Sequence, residues 1–135
     1  KKASDSCAVI GFRSEDQAIL LGDFSQACRA IHIATDDGSL GHKGFVDHLA
    51  RLKLESEHFD RVLACGPTPM LRSVAKVCEE MNVPLQVSLE ERMGCGVGAC
   101  LVCACKTKAD NEEGFVHSHV CKDGPVFDAN EVIWE

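Results

Sequence analysis

DRVLACGPTPMLRSVAKVCEEMNVPLQVSL, residues 60–89, decides the fold. Residues 60–64 (DRVLA) form a short apolar run that reads as a strand closing on Cys65, Gly66 and Pro67. Residues 67–81 follow with helical spacing: Leu71, Val74, Ala75, Cys78 and Met81 make one apolar stripe. Pro67 and Pro69 fall in the first turn, where a missing N–H costs little. Residues 85–89 (LQVSL) read as the next strand. Strand, helix and strand in so short a stretch make a βαβ unit, and therefore a parallel sheet.

The same alternation continues upstream. Residues 7–12 (CAVIGF) and 30–34 (AIHIA) read as buried strands. Residues 15–24 and 45–54 have helical spacing, the second placing Phe45, Leu49 and Leu52 on one face. Residues 35–41 (TDDGSLG) form a turn-rich loop. Downstream the pattern stops near Glu90. The rest is rich in Gly and Cys, with short β-like pieces over 101–107 and 115–120. The expected architecture is α/β, with a parallel-sheet domain over 1–89 followed by a small Cys-rich domain over 90–135.

A net charge of −7 without any basic stripe argues against nucleic acid, which needs clustered Lys and Arg. No apolar run approaches the roughly 20 residues that cross a bilayer. The chain opens on Lys1 with neither Met nor signal peptide, and is expected to be a piece of a longer chain. Nine cysteines are too many for an ordinary domain, and an odd count does not suit a disulfide framework. Four of them, Cys95, Cys100, Cys103 and Cys105, are crowded together, while Cys7, Cys28, Cys65 and Cys78 are scattered among apolar residues. A cytoplasmic metal site with Cys7, Cys28 and Cys78 as small buried hydrophobes is the expectation.

Cys95-x4-Cys100-x2-Cys103 with a distant Cys121 is the plant-type spacing for a [2Fe–2S] cluster. Two irons need four thiolates, and Gly94, Gly96, Gly98 and Ala99 keep the x4 loop small enough for its N–H groups to approach sulfur. Val97, Leu101 and Val102 are expected to cover the cluster from water. A zinc site using these cysteines, or recruiting His117 and His119, fits the x4 gap poorly. A Cys100–Cys103 redox dithiol lacks the strand-to-helix context, and a Rieske centre lacks its Cys-x-His pairs. Gly94-x-Gly96-x-x-Ala99 matches a dinucleotide fingerprint, but no helix is expected to follow. Cys105 is expected to be a packed strand residue, and His117 and His119 two exposed histidines.

SLEERMGCGVGACLVCACKT (88–107) and VCKDGPVFDANEVIW (120–134) closely resemble the iron–sulfur domain of the dihydroorotate dehydrogenase B electron transfer subunit. GFRS (11–14), ATDDGSLGHKGFV (34–46) and ACGPTPML (64–71) resemble the later part of that family's NAD-binding domain. The resemblance implies a ferredoxin–NADP reductase-like subunit with an FAD-binding barrel, an NAD-binding domain and a cluster domain. Its partner would be the FMN-containing dihydroorotate dehydrogenase catalytic subunit, in a heterotetramer of de novo pyrimidine biosynthesis. Electrons would run from that FMN through the cluster to FAD and NAD. Cys95 and Cys100 would hold one iron, and Cys103 and Cys121 the other. Cys65, Gly66 and Pro67 would sit near the nicotinamide. Thr35, Asp36, Asp37 and Gly38 would lie at the nucleotide edge of the sheet, and Arg13 on the adenosine side.

The match begins late in that family's sequence, so the FAD barrel, the first NAD-domain strand and its glycine-rich phosphate loop are expected to be missing from this chain. FAD and NAD are therefore not expected to be held by this chain alone, and the sheet is expected to have a gap between 7–12 and 60–64. Closure by direct pairing of those strands, a second copy of the chain, or a bound peptide would fill it. A plain turn at Asp36–Gly38 and a plain strand-to-helix corner at Gly66–Pro67 are equally available readings. The related small subunit of an NADH-dependent ferredoxin–NADP oxidoreductase or sulfide dehydrogenase is the nearest alternative, and a zinc-bound interaction domain without redox activity the alternative of another class.

Overall fold

The computed structural model describes residues 5–134 and divides them into one compact unit ending at Glu57 and a second beginning at His58. Each follows from its own strand–helix alternation.

In the first unit, β1 (Cys7–Phe12) pairs in parallel with β2 (Ala30–Thr35), with Cys7 opposite Ala30 and Phe12 opposite Thr35. β2 pairs in parallel with the two-residue β3 (His42–Lys43). The helix expected over 15–24 does not form as one piece. A 3₁₀ turn at Glu15–Gln17 ends in extended backbone at Ala18, and Leu20 sits at φ 58° before α1 (Leu21–Ala27). A left-handed residue cannot continue a right-handed helix, and Ile19 and Leu20 lie exposed, with no face to bury. α2 spans Val46–Ser56 and packs on β1 and β2. Of the expected face only Leu49 is buried; Phe45 precedes the helix and is exposed, as is Leu52. The close approach of α2 depends on Gly11, where a Cβ would lie 2.4 Å from a Val46 methyl.

In the second unit, β4 (Val62–Cys65), α3 (Thr68–Glu80) and β5 (Leu85–Ser88) form the βαβ unit, and β4 pairs in parallel with β5. Pro67 caps α3, whose buried stripe is Leu71, Val74, Val77 and Cys78. Ala75 and Met81, expected in that stripe, are half-buried, and Val77 replaces them. Leu85, Val87 and Leu89 alternate into the core. β6 (Ala104–Lys108) and β7 (Phe115–His119) make an antiparallel hairpin. β8 (Val126–Asp128) returns to pair antiparallel with β5, so residues on both sides of Glu90 share one sheet. An antiparallel edge strand on a parallel sheet is a common arrangement. Leu71, Val87 and Val120 are fully buried at its centre.

The strands expected to flank a gap, β1 and β4, belong to separate sheets, each in its own unit. Leu71→Ala is expected to lower unfolding free energy by about 2–5 kcal/mol, because Leu71 is wholly enclosed and its site collapses poorly. A denaturant midpoint within error of the unsubstituted chain would refute that placement of the core.

Candidate metal centre

The hairpin explains how a cysteine far along the chain reaches the others. Ala104 lies opposite His119 in the β6–β7 register, and the Val120 N–H donates to the Cys103 carbonyl at 3.1 Å. A tight turn then carries Cys121: the Lys122 and Asp123 N–H groups donate to the His119 carbonyl, and the His119 N–H donates to Asp123 Oδ2 at 2.7 Å. Cys121 is thereby fixed beside Cys103, and the Cys121 thiol donates a hydrogen bond to the Cys103 sulfur.

The x4 loop is built around Cys95. Its sulfur accepts the N–H groups of Val97 at 3.5 Å and Ala99 at 3.3 Å. The Cys100 N–H and thiol add two more donors, and together these hydrogen bonds lower the Cys95 thiol to about 6. Donors that stabilise a thiolate are what a metal-bound sulfur requires. Gly96 at φ +70° and Gly98 at φ +76° make this curl possible, since side-chain-bearing residues rarely adopt those angles. The Gly98 N–H reaches the Cys121 sulfur, and the Lys122 stem lies where a Gly98 Cβ would be, 2.6 Å from it. Cys121 is raised, first by its hydrogen bond with Cys103, then by burial and the negative charge of Cys103 and Cys95.

The sulfurs thus meet as two hydrogen-bonded pairs, Cys95 with Cys100 and Cys103 with Cys121. Among the described residues no three His, Cys, Asp or Glu side chains converge as one metal ion would require. Four sulfurs in pairs, backbone donors on two of them and a loop of small residues fit a binuclear iron–sulfur group. Cys105 turns elsewhere: its thiol donates to the Ser118 carbonyl at 3.6 Å, and burial raises it.

Several expectations change here. Val97, Leu101 and Val102, expected as cover, are 71%, 71% and 55% exposed, and Met93 is exposed as well. His117 is exposed, but His119 is half-buried, with Nδ1 3.6 Å from Asp123. Cys78 is buried and pushed up to about 11 by that burial, whereas Cys7 and Cys28 are only half-buried. No helix follows Gly94-x-Gly96-x-x-Ala99.

The candidate nucleotide residues divide between the two units. In the first, Thr35 ends β2, and Arg13 and residues 36–38 lie beyond the carboxyl ends of parallel β1 and β2, the side of such sheets where ligands bind. The Asp36 and Asp37 N–H groups donate to the Phe12 and Arg13 carbonyls. Buried Thr35 is spent internally, donating to the Leu40 carbonyl and accepting its N–H. Asp37 accepts the Ser39 hydroxyl and N–H, and these lower its carboxyl. Gly38 is at φ +79°. Thr35, Asp37 and Gly38 therefore make a locked turn, while the Arg13 and Asp36 side chains are exposed.

In the second unit, Cys65 is exposed at the end of β4, Gly66 is at φ +151° with Met70 against it, and the Pro67 carbonyl accepts the Leu71 N–H. The Cys65 thiol is 4.0 Å from the Glu90 carboxylate beyond β5. Glu90 escaped sequence reasoning, although the carboxyl ends of two adjacent parallel strands are where such neighbours arise.

Residues 90–133 match the family model of the iron–sulfur cluster binding domain of dihydroorotate dehydrogenase B. The chain is 40% identical over 123 residues to the dihydroorotate dehydrogenase B (NAD(+)) electron transfer subunit of Clostridium acetobutylicum, covering 91% of this chain and 45% of that protein. It is 43% identical over 122 residues to the same subunit of Clostridium perfringens, covering 90% and 45%. A solved chain of an NADH-dependent reduced ferredoxin-NADP oxidoreductase aligns with a TM-score of 0.80 at 30% identity, over 96% of this chain and 45% of that one. The chain spans about half the length of the curated relatives it matches. Over 90–133 the chain is thus similar to an iron–sulfur cluster binding domain, and over nearly its whole length to about half of the dihydroorotate dehydrogenase B electron transfer subunits.

Proposed function

We propose that Cys95, Cys100, Cys103 and Cys121 hold a [2Fe–2S] cluster, and that the chain is the cluster-bearing part of a dihydroorotate dehydrogenase B electron transfer subunit. The observation that supports this reading is the pairing of Cys95 with Cys100 and of Cys103 with Cys121, with the loop N–H groups aimed at Cys95. When bound, the cluster supplies one-electron transfer. The chain's own residues hold the thiolates, donate N–H groups to them and leave one side open. The exposed side chains of Met93, Val97, Leu101 and Val102 support residues 90–103 as the face toward an FMN-containing catalytic partner. The functional division proposed is a partial NAD-binding segment over 1–89 and a cluster segment over 90–135. In the complete subunit FAD and NAD complete the route, in a cytoplasmic heterotetramer. Iron and sulfide analysis with an EPR spectrum after dithionite reduction tests the reading. About two irons and two sulfides per chain and a reducible signal are expected, and a colourless protein holding zinc would overturn it.

The small subunit of an NADH-dependent ferredoxin–NADP oxidoreductase is a second reading, supported by the 0.80 TM-score. The higher identity to the dihydroorotate dehydrogenase subunits favours the first.

Arg13, Asp36, Cys65, Gly66 and Pro67 are proposed contacts of NAD in the complete subunit, with Thr35, Asp37 and Gly38 shaping the turn. The phosphate loop is where dinucleotide sites gain much of their grip, through N–H groups at a helix start. The isolated chain should therefore show no saturation by NADH up to about 1 mM in calorimetry, corresponding to less than about 4 kcal/mol of binding. It should take up no FAD. Micromolar NADH affinity would mean that the turn and the Cys65 corner suffice.

A further inference from the structure

We propose that His42 and His48 form a chelating site for a divalent transition-metal ion, separate from the cysteine centre. Nε2 of His42 and Nδ1 of His48 face one another at 3.0 Å. The ring centroids are 5.0 Å apart and the ring planes 26° from parallel. Two imidazole nitrogens bound to one ion at 2.0–2.1 Å and about 90–110° are themselves about 2.9–3.4 Å apart. The pair is therefore already at the spacing of two ligands on one metal. Without metal, one proton lies between the two nitrogens. With metal, both present lone pairs, each neutral ring keeping its single proton on the nitrogen that faces away. A modest turn of the rings redirects the lone pairs from each other to a shared ion.

The site is built, because each histidine sits on a fixed backbone. His42 opens β3, paired with Ala34 of β2. The chain on both sides of it cannot drift: before it, a Cβ on Gly41 would lie 2.2 Å from the Ile33 carbonyl oxygen, and after it the Gly44 N–H donates to the Thr35 carbonyl at 2.9 Å. His48 lies in the first turns of α2, its N–H held by Asp47 Oδ1 at 2.9 Å. Little freedom is lost on chelation, which favours binding. No third His, Cys, Asp or Glu among the described residues joins the pair, so water fills the remaining positions. Imidazole donors without thiolate select zinc, nickel or copper over the hard cations.

The test uses the cluster-loaded protein, so that Cys95, Cys100, Cys103 and Cys121 are occupied, and Ni²⁺ as probe, which thiols do not reduce. Calorimetry is expected to give one equivalent of bound Ni²⁺. Paramagnetic broadening of histidine ring signals is expected at His42 and His48 before His32, His58, His117 or His119. His42→Gln or His48→Gln should each weaken binding at least about tenfold, since one imidazole alone loses the second ligand's effective concentration. Wild-type affinity in the double variant, or first broadening at any of the other four histidines, would overturn the site. The broadening order in the unsubstituted protein decides the matter independently of how the variants fold.

Discussion

Cys121→Ser is expected to abolish most of the cluster, while Cys105→Ser retains it. Cys121 stands far from the other cysteines in sequence, but the hairpin register and the turn closed by Asp123 set it against Cys103. A serine there offers a hard oxygen where iron prefers thiolate. It also leaves Cys103 without its sulfur partner. Cys105 occupies the same crowded stretch, yet its thiol is committed to the Ser118 carbonyl, away from both pairs. Iron content, sulfide content and the visible spectrum read the difference directly. Full iron and an unchanged spectrum in Cys121→Ser would remove it from the ligand set and promote Cys105. Cys95→Ser, Cys100→Ser and Cys103→Ser should resemble Cys121→Ser.

Gly98→Val is expected to disturb the cluster as severely as some ligand changes, although no sulfur is removed. At φ +76° a β-branched residue is strained by roughly 1–3 kcal/mol. The loop would relax toward ordinary backbone and withdraw the N–H that reaches Cys121. The Lys122 contact is the lesser cost, because its long stem can swing aside. Gly96→Val shares the strain at φ +70° but opens into free space, so its effect should be smaller. Lower cluster yield, with a shifted EPR signal in what remains, is the expected readout. Normal yield and an unchanged signal in both variants would show that the loop curl does not support the site.

β1 was legible in the sequence to the residue, because CAVIGF is an apolar run with polar residues on either side. α3 was legible from its stripe and its early prolines, with Val77 the one buried position missed. The four candidate ligands were legible for a related reason: x4 and x2 spacings are short, and a short loop of small residues has few ways to fold around sulfur. Local chemistry decides such features, and local chemistry is what a sequence records.

Other features depended on partners distant in the chain. β8 is a three-residue strand with no periodicity of its own, and it exists because β5 offers an edge at Gln86–Ser88. The break at Leu20 could not be seen in the apolar spacing of 15–24, since spacing does not report whether a face is available to bury it. Val97, Leu101 and Val102 look like cover in a list of apolar residues, but the loop turns its N–H groups inward to Cys95, and those side chains point to solvent. The pairing of His42 with His48 and of Cys65 with Glu90 likewise came from strand ends and helix starts brought together by the sheets. Residue identity and spacing determined β1, the long helix and the choice of candidate cysteines. Which side chains face one another, and which face water, was decided by tertiary packing, because burial is settled by what lies opposite a residue rather than by what lies beside it in the chain.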